Sequence, residues 1–170
     1  MRLFILLAAL MAAPATAQTL PPTLRLPPEL RLPIELRLPV SPACISSPFG
    51  PRAEGAAGPR ASRNHRGMDM PAPAGAWVVA AAAGQVVAIR RQGAAGLTVE
   101  LRHEGGVTTR YVHLGTVAPA LASGRRRVAQ GERLGRIGRT GITYGTHLHF
   151  ELVVNGVVVD PAPHLPIRPC

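Results

Sequence analysis

From Pro42 to the C-terminus, apolar residues come in short β-type runs, each closed by a glycine-containing turn. The runs at 77–79, 85–89, 97–101 and 107–112 are rich in Val, Ile, Leu, Thr and aromatic residues, the composition of strands. Two more, at 147–154 and 157–159, flank Asn155-Gly156, a pair suited to the positive φ angles of a two-residue hairpin turn. Only 116–122 is even weakly helical. Many short strands without a long helical period predict an all-β domain, a compact antiparallel sheet. The span 41–170 is long enough to bury its own core.

The chain before this domain differs. Met1-Arg2, the apolar run 3–13 and Ala15-Thr16-Ala17 have the order of a signal peptide, which assigns residues 1–17 to one. The run is too short to span a bilayer, so no stable membrane insertion is expected once it is removed. Residues 18–40 hold a six-residue repeat, Leu24-Arg25-Leu26-Pro27, Leu30-Arg31-Leu32-Pro33 and Leu36-Arg37-Leu38-Pro39, with Glu29 and Glu35 in step. Prolines at this frequency exclude a helix and favour extended backbone. The segment reads as a spacer; a wall tether or a pro-segment lying over the active site are the other readings.

The formal net charge is +10, and every basic side chain counted in it is Arg. Such a charge favours anionic partners. Export and an aromatic content of 4% argue against nucleic acid. Cys44 and Cys170 are the two cysteines, an even count that in an exported chain predicts a disulfide joining the ends of the domain. Residues 52–66, rich in Gly, Ala and Arg, predict an exposed loop, and 124–127 a second, basic one.

His147-Leu148-His149 leads into a strand-like run, where residues two apart share a face. Both imidazoles can then address one point. His65 and Asp69, four apart, also share a face in a strand. Two imidazoles and a carboxylate are a donor set for zinc: three protein ligands and one open position make a catalytic site. His113 follows Tyr111-Val112. His103 reads as a strand-end histidine, His164 as exposed and Trp77 as core. Glu151 is either a partner orienting His149 or structural, and Tyr144 either lines a groove or is structural.

Together these motifs resemble the lysostaphin-type zinc peptidases (LytM-like domains) of peptidoglycan. The resemblance is carried by Gly141-Ile142-Thr143-Tyr144-Gly145-Thr146-His147-Leu148-His149-Phe150-Glu151 and by Ser46-Ser47-Pro48-Phe49-Gly50-Pro51-Arg52. His65-Arg66-Gly67-Met68-Asp69, Ala82-Ala83-Gly84-Gln85-Val86 and Tyr111-Val112-His113-Leu114 complete it, in family order over roughly residues 45–161. It implies a barrel-sandwich hybrid fold with a groove over the metal. His65, Asp69 and His149 would be the Zn2+ ligands, and His113 and His147 the catalytic imidazoles beside the metal-bound water. Which of those two is the base stays open. Thr146 and Tyr144 depart from the family's usual Pro and small hydroxyl residue, which affects groove shape.

The function these readings predict is a secreted zinc metalloendopeptidase, expected as a monomer. It would hydrolyse peptide cross-links or stem peptides of bacterial peptidoglycan, in the periplasm or at the cell wall. The alternative is a non-catalytic activator of another wall hydrolase on the same scaffold. A broad secreted protease and a passive wall-binding module are the remaining readings.

Overall fold

The computed structural model describes residues 31–54 and 58–170. Residues 1–17, read as a signal peptide, and the first repeat lie outside the described residues. The described chain forms eleven strands: β1 (Gly50–Pro51), β2 (Asn64–His65), β3 (Met68–Pro71), β4 (Trp77–Val79), β5 (Gly84–Gln92), β6 (Gly96–Arg102), β7 (Val107–Val117), β8 (Arg127–Val128), β9 (Arg133–Ile137), β10 (His147–Val154) and β11 (Val157–Val159). A short α-helix, α1 (Pro119–Ala122), falls inside the weakly helical stretch. The fold is all-β, as the sequence predicts.

The main sheet runs β11-β10-β7-β6-β5-β8, antiparallel throughout. Along one side, β7 changes partners. Residues 107–112 pair with β10, and from Leu114 onward the strand pairs with β9, which carries β4. The other end of β10 takes β3, with His149 opposite Asp69.

Alternation along β10 sets the two faces. Leu148, Phe150 and Leu152 are fully buried, while His147, His149 and Glu151 point the other way and are only partly covered. Phe150 meets Tyr111 edge-on at 5.4 Å between ring centroids, and Met68 and Met70 of β3 join the same core. Tyr111 also turns its hydroxyl to good use in that core: it accepts the Ala81 N–H at 2.8 Å and contacts Thr109 Oγ1 at 3.0 Å.

Five strands escape a reading by local pattern. β9 is the longest, and Arg133, Gly135 and Arg136 break its apolar alternation. Gly135 has a physical reason: a Cβ there would collide with the Thr116 carbonyl oxygen of β7. Arg127 enters β8 rather than staying in the basic loop. Trp77, expected in the core, is only partly buried. The Arg133 and Arg136 guanidinium carbons sit 4.4 and 3.7 Å from its ring centroid, a cation–π arrangement at the edge of the body.

Residues 31–40, read above as spacer or pro-segment, pack onto the body. Leu36 is 6% and Val40 2% exposed, and both belong to the core cluster. Backbone bonds tie the segment down, Arg37 N–H to Ala81 O and Val79 N–H to Pro39 O, each 2.9 Å. Leu36→Ala is expected to lower the free energy of unfolding by about 2–5 kcal/mol, measured by urea denaturation. An unchanged midpoint would show that the segment contributes no core.

Cys44 and Cys170 form a disulfide, with Cα atoms 5.0 Å apart. Beside it, Ile45 N–H bonds Arg168 O and Cys170 N–H bonds Ile45 O. The bridge closes a loop with a sequence separation of 126, so it removes considerable freedom from the unfolded chain. The Cys44→Ser/Cys170→Ser protein should be about 2–5 kcal/mol less stable in a denaturant titration, and a loss below this range would place the stabilisation in the surrounding backbone bonds instead.

Candidate metal centre and its groove

The sequence has to bring His65, Asp69 and His149 together across long separations, and three local features do so. The β3–β10 register sets Asp69 opposite His149. β2 holds His65 against β1, and the turn at Arg66-Gly67 returns the chain into β3. Gly67 is required there, because a Cβ would collide with the Phe150 carbonyl. The result is a triangle of donor atoms. His65 Nε2 lies 3.1 Å from Asp69 Oδ1 and 2.9 Å from His149 Nδ1, and His149 Nδ1 lies 2.9 Å from Asp69 Oδ1.

Each donor is fixed from behind. His65 Nδ1–H donates to Pro48 O at 2.7 Å, which leaves Nε2 with its lone pair for the cluster. Asp69 Oδ2 accepts from Arg52 Nη2 at 2.8 Å. His149 Nε2–H donates to Glu151 Oε1 at 3.3 Å, leaving Nδ1 for the cluster. Glu151 in turn accepts from Arg110 at 2.9 Å, and Arg110 reaches Glu100 at 3.2 Å. Those three lie in cross-strand register on β10, β7 and β6.

The charges respond to this crowding. Burial alone would raise the Asp69 carboxyl, but hydrogen bonds and charge from His149 and His65 outweigh it and hold it far below the usual carboxylate range. Burial opposes the charged form of His149, yet Asp69 and Glu151 raise it above the ordinary histidine value. An anionic oxygen with two imidazole lone pairs directed at one point suits a divalent cation. Separations of 2.9–3.1 Å let a single ion touch all three at metal–ligand lengths of about 2.0–2.2 Å.

His113 and His147 stand beside the triangle. Their ring centroids are 5.0 Å apart, and His113 is 6.0 Å from His149. His113 has φ +65°, unusual for a non-glycine residue, where β7 passes from β10 to β9. The kink breaks strict alternation, so that consecutive Val112 and His113 both line the groove. His113 Nδ1–H donates to Thr140 O at 2.8 Å, and His147 Nδ1–H to Gly145 O at 3.2 Å, so each ring keeps its Nε2 free to accept a proton. Burial lowers the His113 value to about 4, although the Thr140 carbonyl opposes the shift. Burial likewise lowers His147, against the pull of Asp69.

A groove of about 630 Å³ opens over the triangle and His113. Tyr144 lines it, 52% exposed, and its hydroxyl accepts the Arg60 N–H at 2.8 Å, linking the loop before β10 to the exposed loop before β2. All five candidate residues, His65, Asp69, His113, His147 and His149, therefore meet at one site. Glu151 takes the orienting position. His103 follows the end of β6, where it is buried and bonded to Ala83 O and Thr109 Oγ1. Sequence reasoning missed Arg52, Arg110 and Thr140 as partners of the site. Only Arg52 carried a signal, as the end of the Ser46–Arg52 motif.

A three-donor centre on an antiparallel sheet, open to a groove, is of the kind that metallopeptidases use. The chain belongs to Peptidase family M23, whose model matches residues 63–161. It is 38% identical over 116 residues to the peptidoglycan DD-endopeptidase ShyA of Vibrio cholerae, covering 68% of this chain and 26% of that protein. It therefore spans about a quarter of the length of that curated relative. Among solved structures, a zinc-containing peptidase from Vibrio cholerae superposes with TM-score 0.64 and 30% identity, covering 75% of this chain and 39% of that one. The catalytic domain of the antimicrobial peptidase lysostaphin from Staphylococcus simulans superposes with TM-score 0.60 and 25% identity over 71% of this chain and 90% of that domain. The fold is the lysostaphin type.

Proposed function

We propose that the chain is a zinc metalloendopeptidase that cleaves peptide cross-links or stem peptides of bacterial peptidoglycan. The observation that carries this reading is the complete constellation: three convergent donors, each held from behind, with two further imidazoles beside them and an open groove over the donors and His113. A non-catalytic activator on this scaffold has no need of the two further imidazoles.

Zinc, when bound, supplies a polarised carbonyl and a water acidified towards neutral pH. His65, Asp69 and His149 would hold it. The chain's own groups do the rest. The Nε2 of His113 or His147 accepts the proton of the attacking water, since its Nδ1 is committed to a carbonyl. The other imidazole could steady the developing oxyanion only with a proton on Nε2, because its Nδ1–H is already given to a carbonyl. The groove admits an extended peptide, and Tyr144 and Arg60 narrow one wall of it.

Export is part of the proposal. It rests on the signal-type residues 1–17 and on the disulfide, a bond that persists in oxidising compartments. The periplasm or the cell wall would then be the site of action, and the excess of Arg favours the anionic wall.

The test is muropeptide release from purified sacculi by residues 18–170, with added zinc and with a chelator. New amine termini that require metal support the reading, and mass spectrometry of the products names the bond. Stoichiometric zinc binding with no release from any sacculus preparation would turn the assignment to the activator.

A further inference from the structure

Arg52 has no part in the mechanism so far, yet its side chain reaches the metal centre. It follows β1 and is held at both ends. Its N–H bonds Arg63 O at 2.8 Å, and its guanidinium donates to Ser47 Oγ through Nε at 3.2 Å and Nη2 at 2.8 Å. Ser47 is itself bridged to Asp69, whose N–H donates to Ser47 O at 2.9 Å. From this anchorage Nη2 donates to Asp69 Oδ2 at 2.8 Å, with both side chains only 13% exposed. The two carboxylate oxygens are thereby divided. Oδ1 belongs to the His65–His149 triangle and Oδ2 to Arg52.

A free carboxylate can ligate through one oxygen or both, and the second mode takes up a position that a water or a substrate would otherwise use. We propose that Arg52 is a positioning residue that restricts Asp69 to one-oxygen ligation and so keeps the metal's remaining position available. The inference rests on the zinc-peptidase reading. It adds a residue that acts through Asp69 Oδ2. A guanidinium suits the task because it is always charged, and Ser47 fixes the plane of its donors.

The test is metal binding and visible absorption of the Co2+-substituted chain, compared with Arg52→Met. One equivalent of Co2+ should bind to both. The variant's d–d bands should weaken, as they do when coordination number rises, and kcat should fall about 10–100-fold with KM unmoved. Arg52→Lys, which retains a donor for Oδ2, should restore most of the absorption. Superimposable spectra for the original chain and a folded Arg52→Met protein overturn the assignment, whatever happens to activity. A crystal structure of the zinc-loaded original chain gives a second measurement that does not depend on the variant folding. Both Asp69 oxygens within bonding distance of the metal would overturn the proposal. Failure of the original chain to bind Co2+ or zinc defeats the metallopeptidase reading as well, so the two failures are told apart before any variant is made.

Discussion

Replacing His149 with Ala should abolish stoichiometric zinc binding and lower kcat/KM on sacculi about 10⁴-fold or more. His149 contributes one of three donors, and its neighbours depend on it. Its Nδ1 is 2.9 Å from both His65 Nε2 and Asp69 Oδ1, and its Nε2 carries the link to Glu151. Two donors on so short a perimeter hold a divalent ion poorly against solvent. Loss of the metal removes several kcal/mol of transition-state stabilisation, and each 1.36 kcal/mol is tenfold in rate. The fold should survive, because Leu148, Phe150 and Leu152 on the opposite face form the core. Zinc content by atomic emission, circular dichroism and muropeptide release check the three parts separately. A folded His149→Ala protein that keeps one equivalent of zinc would displace this residue from the ligand set.

His113→Ala and His147→Ala should each leave the metal bound while lowering kcat roughly 10²–10⁴-fold, the range of a positioned acid–base group. Both rings lie close to the triangle without belonging to it: His147 Nε2 is 3.6 Å from Asp69 Oδ1, against 2.9 and 3.1 Å for the two ligand imidazoles. The pH profile separates their roles. A base must be deprotonated, so activity is lost as pH falls through its value, and burial has moved that fall below the ordinary histidine range for both groups, to about 4 for His113. The variant in which this acid limb disappears identifies the base; the other should lose rate at all pH values. Unchanged kcat in either variant removes that imidazole from the mechanism.

Much of the site was legible because its spacing is local. In a strand, residues two apart share a face, which joins His147 to His149 and separates both from Leu148 and Phe150. Asn155-Gly156 marks the hairpin between β10 and β11, and Asn155 adopts φ +50° there. β9 was not legible, because Gly135 and two arginines interrupt its pattern; its strand character comes from β7 and β4 on either side. The described part of the repeat, 31–39, shows what such a pattern leaves open. A proline-rich pattern predicts extended backbone, but nothing in it announces that Leu36 is buried in the core cluster or that Arg37 N–H bonds Ala81 O.

The sequence by itself determined the class of fold, the three candidate ligands with the two further histidines, and the two cysteines available for a bridge. Composition, turn residues and short-range periodicity are properties of neighbouring residues, and a reader can recover them without knowing where the chain goes. The tertiary structure decided which atoms do what. Only the β3–β10 register sets Asp69 opposite His149, and only the partner change along β7 turns His113 into the groove beside Val112 instead of into the core beside Tyr111. The carbonyls of Pro48, Thr140 and Gly145 choose the free nitrogen of each ring, and Arg52 claims one oxygen of Asp69. These contacts join residues far apart in the chain, and their geometry exists only once the strands have paired.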